Sequence, residues 1–372
     1  MEFTIEKDIF VKALQKIQSI VERRNTMPIL SNVLIEATEN FLTFTATDLE
    51  VGMRSSYKAK VIEDGRITLS AKKLYEIIRE LPEEQIRLST KSNDWVEIVC
   101  GKAKFSIVGL SPEEFPFFPK INETDFITLD SGTLARMIEQ TSYAICHDET
   151  KYNLNGILFK ISKKEDGNTL IMVATDGHRL SVSEHKIEGA DFEIQDKGVI
   201  FPKKGIMELK KLCDEDQSGI RLGFIDNSIA VLTDDTTVVM RLVDGEFPDY
   251  TRVVPVGNNR EIKIKREIFL HSLKRMAILS SEKFKGIKFE ITNNSMEISS
   301  SNPELGEARE ELEVTYSGEK IVTRFNARYL IDVLNIITDE EVVLLLRDEM
   351  SPAILKKAGS DELMAVVMPM RL

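Results

Sequence analysis

The sequence predicts an α+β chain made of three repeated domains, each with two helices packed on antiparallel sheets. Three observations carry this. An amphipathic helix pattern occurs three times. A strand ending in a polar corner follows it each time. Each copy then closes with a second helix and a meander of short strands. One matching helix would leave chance resemblance open; four elements in the same order, three times, do not.

The first helices are read over 5–21, 129–145 and 264–280. Ile9, Phe10, Ala13, Leu14, Ile17, Ile20 and Val21 recur at helical spacing in the first. Leu134, Met137, Ile138, Thr141 and Ile145 do so in the second, and Ile268, Phe269, Leu273, Met276 and Ala277 in the third. The corners read Thr47-Asp48-Leu49-Glu50, Thr175-Asp176-Gly177-His178 and Ser301-Asn302-Pro303-Glu304, offset by 128 and 126 residues. Second helices are expected over 70–81, 202–213 and 326–337, with Ser70 and Asn326 as N-cap types and Pro202 suited to a first turn. Short strands over 85–90, 95–100 and 103–110 close the first copy, with counterparts in the others separated by turn residues. The linkers match too: Glu114-Phe115-Pro116 recurs as Glu246-Phe247-Pro248, 132 residues later. The expected domains are 1–122, 123–253 and 254–372.

Composition agrees with this size. The chain has 372 residues, enough for two to four domains at roughly 100–200 residues each. Hydrophobic residues are 42% and charged ones 30%, as in ordinary globular proteins. With Lys plus Arg at 49 and Asp plus Glu at 61, the net charge is −12. That argues against a chain coated all over in nucleic acid, but not against a local basic face. The N-terminus has no basic region followed by an apolar one, so no signal peptide is expected, and no run approaches 18 apolar residues. Cys100, Cys146 and Cys213 are odd in number and far apart. No disulfide framework or CxxC knuckle is expected, which suits a reducing cytoplasm.

Catalytic signatures are missing. The sequence holds no phosphate loop, no GxGxxG turn and no GxSxG elbow. His147, His178, His185 and His271 form no metal spacing, so neither a metal nor a cofactor is expected. Asp176 and His178 could be read as an acid/base pair of a hydrolase or transferase. Copies one and three carry Asp48 and Asn302 without a His, which favours a structural strand corner, with Gly177 supplying positive φ. No enzymatic activity is expected.

Basic residues load the helices opposite their apolar stripes. The first copy carries Lys7, Lys12, Lys16, Arg23, Arg24, Lys72, Lys73 and Arg79. The second carries Arg136, Lys203, Lys204, Lys210 and Lys211. Lys265, Arg266, Lys274, Arg275 and Arg328 follow in the third. Any one helix reads as a solvated face; six loaded alike point to a shared anionic partner. Aromatic interleaving is sparse, so neither base readout nor single-strand stacking is indicated.

Six stretches, taken in order, carry a resemblance: Arg24-Asn25-Thr26-Met27-Pro28-Ile29-Leu30, the corner 174–180, Gly245-Glu246-Phe247-Pro248-Asp249-Tyr250, the run 278–286, Thr315-Tyr316-Ser317-Gly318 and the C-terminal 368–372. Over its whole length the chain resembles the bacterial sliding-clamp family, the beta subunits of the replicative DNA polymerase III. The resemblance implies the DNA clamp fold: a head-to-tail homodimer whose six domains close a ring around duplex DNA. Twelve helices spaced about 9 Å apart give a circumference near 110 Å, leaving a hole of roughly 25 Å. Such a ring slides as a processivity factor in the cytoplasm and is opened by a separate clamp loader ATPase.

The implied DNA-binding residues are Lys12, Arg24, Lys72, Lys73, Lys151, Tyr152, Lys203, Lys204 and Lys274. The replicative polymerase subunit, the loader and other proteins with short motifs would dock at a pocket of Leu154, Thr175, Gly177, His178, Arg179, Leu180, Pro248, Arg252 and Val253. Tyr329, Val366, Met368, Pro369, Met370 and Arg371 complete it. Phe105, Ile107, Ile278 and Leu279 are the implied dimer interface. Lys102 and Lys104 would face Glu304, Glu307 and Glu310 there as a charged rim. No membrane partner is expected. Pro352 stands where some relatives carry a small polar residue, and Asp148 where some carry Gln. A monomeric peptide-binding scaffold is the competing reading, separable by whether the protein stays on circular DNA.

Overall fold

The computed structural model describes all residues except 22–26, 83, 122–125, 165–166, 188–196, 217–218, 281–285 and 371–372. Arg24 and Arg371 therefore lie outside the described residues, as does most of the run 278–286.

Six α-helices are described: α1 Lys7–Gln18, α2 Ala71–Glu80, α3 Ser131–Ser142, α4 Lys203–Glu215, α5 Arg266–Ala277 and α6 Ala327–Ile336. Each expected helix is present, but the first of each copy starts two residues late. The reason is the same three times: Ile5, Leu129 and Ile264 belong to the ends of short strands, Glu2–Glu6, Phe126–Leu129 and Arg260–Lys265, that lead into the helix. In α1 the stripe Phe10, Ala13, Leu14 and Ile17 is buried. Ser70 accepts the Lys73 N–H at 3.4 Å and Asn326 accepts the Arg328 N–H at 3.0 Å, each satisfying a donor of the open first turn. Pro202 ends the strand before α4 instead of occupying its first turn.

The chain packs as two compact units, one of residues 1–132 with 207–242 and one of 133–206 with 243–372. The first holds a five-stranded sheet in the order Lys60–Glu63, Glu2–Glu6, Gln85–Thr90, Trp95–Cys100, Ala103–Val108. Its eight-stranded sheet runs Phe126–Leu129, Ile220–Ile225, Ser228–Leu232, Thr236–Arg241, Val51–Lys58, Phe41–Thr47, Asn32–Thr38, Gly65–Ser70. In its core the Phe10 ring lies 6.2 Å from Phe3 and 5.6 Å from Phe44.

The second unit holds an eight-stranded sheet in the order Val199–Pro202, Gly156–Lys164, Gly167–Thr175, Arg179–Ile187, Leu363–Val367, Ala353–Lys357, Glu341–Leu346, Arg260–Lys265. A four-stranded sheet follows the order Gly306–Glu313, Ser295–Asn302, Gly286–Thr292, Ile321–Asn326. Phe289 meets Phe269 and Phe325 edge-on in its core.

One pairing rule recurs. The closing strand Thr236–Arg241 of the middle copy pairs antiparallel with Val51–Lys58, the strand after the first corner. The closing strand Leu363–Val367 pairs in the same way with Arg179–Ile187, after the second corner. The first copy's closing strand, Ala103–Val108, and the third copy's strand after its corner, Gly306–Glu313, are both sheet edges. Phe105 is 38% and Val108 62% exposed on the first of them.

Candidate peptide pocket and basic helix faces

The second strand corner forms the pocket's rim. Asp176 Oδ1 accepts the N–H groups of His178 at 2.9 Å and Arg179 at 3.0 Å. Thr175 Oγ1 donates to the Arg179 carbonyl at 2.6 Å and accepts the Gly177 N–H at 3.1 Å. Gly177 has φ 90°, a conformation glycine adopts without strain. The other corners are built alike. Asp48 Oδ1 accepts from Glu50 and Val51 at 2.9 and 2.7 Å, and Asn302 Oδ1 from Glu304 at 2.9 Å.

Beside the corner lies an apolar cavity of about 170 Å³. Nine of the expected residues line it: Leu154, Thr175, Gly177, Arg179, Leu180, Pro248, Val253, Val366 and Met368. Leu180 and Val366 are buried floor, each 2% exposed, while Val253 and Met368 stand open at 48% and 41%. Asp249 and Tyr250 also line it. Sequence reasoning passed over both, although they directly follow the repeated Glu-Phe-Pro linker. Asp249 caps a short turn, Tyr250–Arg252, by accepting the Thr251 N–H at 3.3 Å, and it also accepts from the Thr251 hydroxyl at 2.6 Å. The Thr251 hydroxyl and then Arg252, at 2.9 Å, hold the Asp249 carboxyl below its ordinary range.

Five expected residues lie off the cavity wall. Arg252 is exposed and engaged with Asp249. His178 stacks on Tyr329, centroids 6.3 Å apart. The tail is anchored by its backbone: the Met368 N–H donates to the His178 carbonyl at 2.9 Å and the Met370 N–H to the Arg324 carbonyl at 2.8 Å. Pro369 is half-buried between these anchors, and Met370 packs on Gly286.

The basic helix faces are of mixed sign. Lys12, Lys72, Lys73, Lys203 and Lys274 are exposed, whereas Lys204 is half-buried. Lys73 pairs with Glu76 at 2.9 Å, and Lys203 Nζ lies 2.7 Å from His147 Nδ1. Lys16 is turned inward, 10% exposed, with Glu215 at 3.0 Å and Asp235 at 3.6 Å. Burial opposes its charge, yet these carboxylates outweigh burial and raise it above the ordinary lysine value. Lys12 and Lys16 share a cavity of about 310 Å³ with Glu208, Lys211 and Glu215. Lys151 and Tyr152 are exposed on a loop capped by Asp148, which accepts from the Thr150 N–H and hydroxyl at 3.0 and 2.7 Å.

At the expected interface, Ile278 is 74% exposed just past α5, and Leu279 and Ile107 are half-buried. The rim charges already have partners within their own units: Lys104 with Glu97, and Glu310 with Arg275 and Ser272. No three His, Cys, Asp or Glu among the described residues are placed to hold a metal, and no described helix is long and apolar enough to cross a membrane.

Three sequence models of one family cover the chain: DNA polymerase III beta subunit, N-terminal domain over 1–119, central domain over 128–249 and C-terminal domain over 251–371. Similar curated proteins include the beta sliding clamps of Pseudomonas putida, 37% identical over 374 residues, and Escherichia coli K12, 35% identical over 373. In both comparisons all of each chain is covered. Similar solved structures include the Bartonella birtlesii sliding clamp bound to griselimycin, at TM-score 0.94 and 34% identity. The Pseudomonas aeruginosa DNA polymerase III subunit beta matches at 0.93 and 35%, again over the whole of both chains.

Proposed function

The chain belongs to the sliding-clamp family, the beta subunits of DNA polymerase III, and from that premise we propose how its own residues do the work of a clamp. It is a processivity factor for replication. Two chains join head to tail, the ring surrounds duplex DNA, and partners dock in the apolar pocket beside Gly177. The domains divide near 122 and 253, and the ring works in the cytoplasm.

The recurring strand pairing carries the homodimer. Inside the chain, each closing strand adds to the strand after the preceding copy's corner. Ala103–Val108 and Gly306–Glu313 have no such partner among the described residues, and each is the outermost strand of its sheet. Open edges are templates for pairing. A second chain supplies both missing strands at once, and a head-to-tail contact closes when the rotation per repeat allows it. Phe105, Ile107, Ile278 and Leu279 then cover one another. Lys102 and Lys104 meet Glu304, Glu307 and Glu310 by exchanging their present partners, which favours register over affinity.

The ring needs no tight grip on DNA. Lys12, Lys72, Lys73, Lys203, Lys204 and Lys274 make weak phosphate contacts, with Arg24, Lys151 and Tyr152 joining on the family resemblance. An overall charge of −12 keeps DNA off other surfaces. The chain does no chemistry of its own: Asp176, the acid of the competing reading, is occupied in capping its corner just as Asp48 is. The partners are the replicative polymerase subunit, the loader ATPase and other proteins bearing short apolar motifs.

The test is topological. Native mass should give a dimer, and protein loaded on nicked circular DNA should be retained until the circle is cut, then run off the ends. A monomer that binds motif peptides but leaves circular and linear DNA alike would overturn the ring in favour of a peptide-binding scaffold.

A further inference from the structure

One wall of the pocket is set from outside it. Arg179 lines the cavity, but its side chain is only 10% exposed and every nitrogen of its charged end donates a hydrogen bond. Nε donates to Asp176 Oδ2 at 3.1 Å, Nη1 to Asp332 Oδ2 at 2.5 Å and Nη2 to the Tyr143 carbonyl at 2.5 Å. The guanidinium carbon also sits 4.8 Å from the Tyr329 ring centroid and 5.2 Å from that of Tyr143. Tyr143 directly follows α3, while Tyr329 and Asp332 belong to α6. Three distant stretches of chain thus converge on one side chain. Asp332 itself is not part of the pocket wall.

A shielded guanidinium with each nitrogen donating has no ready charge for a ligand; a peptide could use it only by breaking these bonds. What Arg179 offers the cavity is its hydrocarbon stem, held in one place. The planar fork matters, because a lysine ammonium cannot reach three acceptors in these directions. Removing the Asp332 charge leaves Asp176 as the only carboxylate on Arg179 and weakens the hold on Nη1, so the guanidinium would swing toward Asp176 and the stem would shift.

We infer that Asp332 and the Tyr143 carbonyl are positioning groups for partner binding: they fix Arg179 as a rigid pocket wall, and Asp332 sets peptide affinity without touching the peptide. This rests on the pocket reading above.

The test uses the full chain and a fluorescein-labelled pentapeptide ending in Leu-Phe, followed by anisotropy. Asp332→Asn should bind roughly tenfold more weakly, with dimer mass and thermal midpoint close to wild type. Asp332→Glu, which keeps the carboxylate, should recover most of the affinity. Arg179→Lys should weaken binding too, and the double variant Arg179→Lys with Asp332→Asn should be no worse than the weaker single one. Wild-type affinity in Asp332→Asn, or additive losses in the double variant, would overturn the inference. If Asp332→Asn does not fold, Arg179→Lys carries the expectation, and unchanged binding there overturns it. A wild-type chain that fails to bind the probe would instead sink the pocket reading.

Discussion

Asp48, Asp176 and Asn302 perform the same task in three corners, and that repetition separates architecture from function at single residues. The sequence exposed it, because a side chain that caps its own turn acts on neighbours two or three positions away. Arg179 is the opposite case. Its partner Asp332 lies 153 residues on, and no local pattern marks such a pair. Tyr143 was equally hidden. Its hydroxyl is buried without a hydrogen-bond partner among the described residues, and burial pushes its pKa up to about 12. The sign follows directly: above about pH 10 the unfolded chain gives up this proton while the folded chain keeps it. The contribution is fully present below pH 10 and is lost as pH rises towards 12. Tyr143→Phe keeps the ring over Arg179 and removes an unsatisfied group, so at pH 7 it should be neutral or stabilising by up to about 1 kcal/mol. Between pH 10 and 12 its urea midpoint should fall less steeply than that of wild type. Parallel curves for the two proteins would show that the hydroxyl is solvated.

Elements were far more legible than their partners. Helices α1 to α6 could be placed within a few residues, because apolar spacing and cap residues are local signals. The strands leading into α1, α3 and α5 were absorbed into those helices, since one apolar residue before a helical stripe fits either period. The strand pairing between copies was not legible at all, for alternation tells which face a strand buries and not which strand lies beside it. Two predictions belong to this scale. Ile278→Ala with Leu279→Ala uncovers Phe105 and Ile107 in the proposed interface and should give monomers by sedimentation; an unchanged dimer would place the interface elsewhere. Deleting residues 368–372 removes Met368 from the pocket and two backbone bonds, to His178 and Arg324. Motif peptides should then lose binding, while the dimer and its retention on circular DNA persist, because neither edge strand is touched. A truncated chain that still binds peptide as tightly would remove the tail from the site.

For the whole molecule, sign and place of charge matter more than total. A chain of net charge −12 can hold DNA only if its cations are gathered where the duplex passes and its carboxylates lie elsewhere. Helix faces with Lys16 and Lys211 tied to carboxylates are less basic than a count of lysines suggests, which suits the sliding ring proposed above. The exposed Lys12 on α1, Lys203 on α4 and Lys274 on α5 are then the informative trio. Lys12→Glu, Lys203→Glu and Lys274→Glu together leave the apolar stripes intact, so the dimer mass and thermal midpoint should hold. Loading on nicked circular DNA should slow. Each lost phosphate contact lowers the slope of log affinity against log salt by about one, so the triple variant should show a slope reduced by about three for each chain that meets the duplex, up to about six per ring, and a defect that fades as salt rises. Rings that are already loaded should stay on the circle at any salt, since enclosure and not attraction retains them. Loading and salt slope equal to wild type would mean that these helix faces do not meet DNA; rings lost from closed circles at high salt would mean that the chain binds DNA without surrounding it.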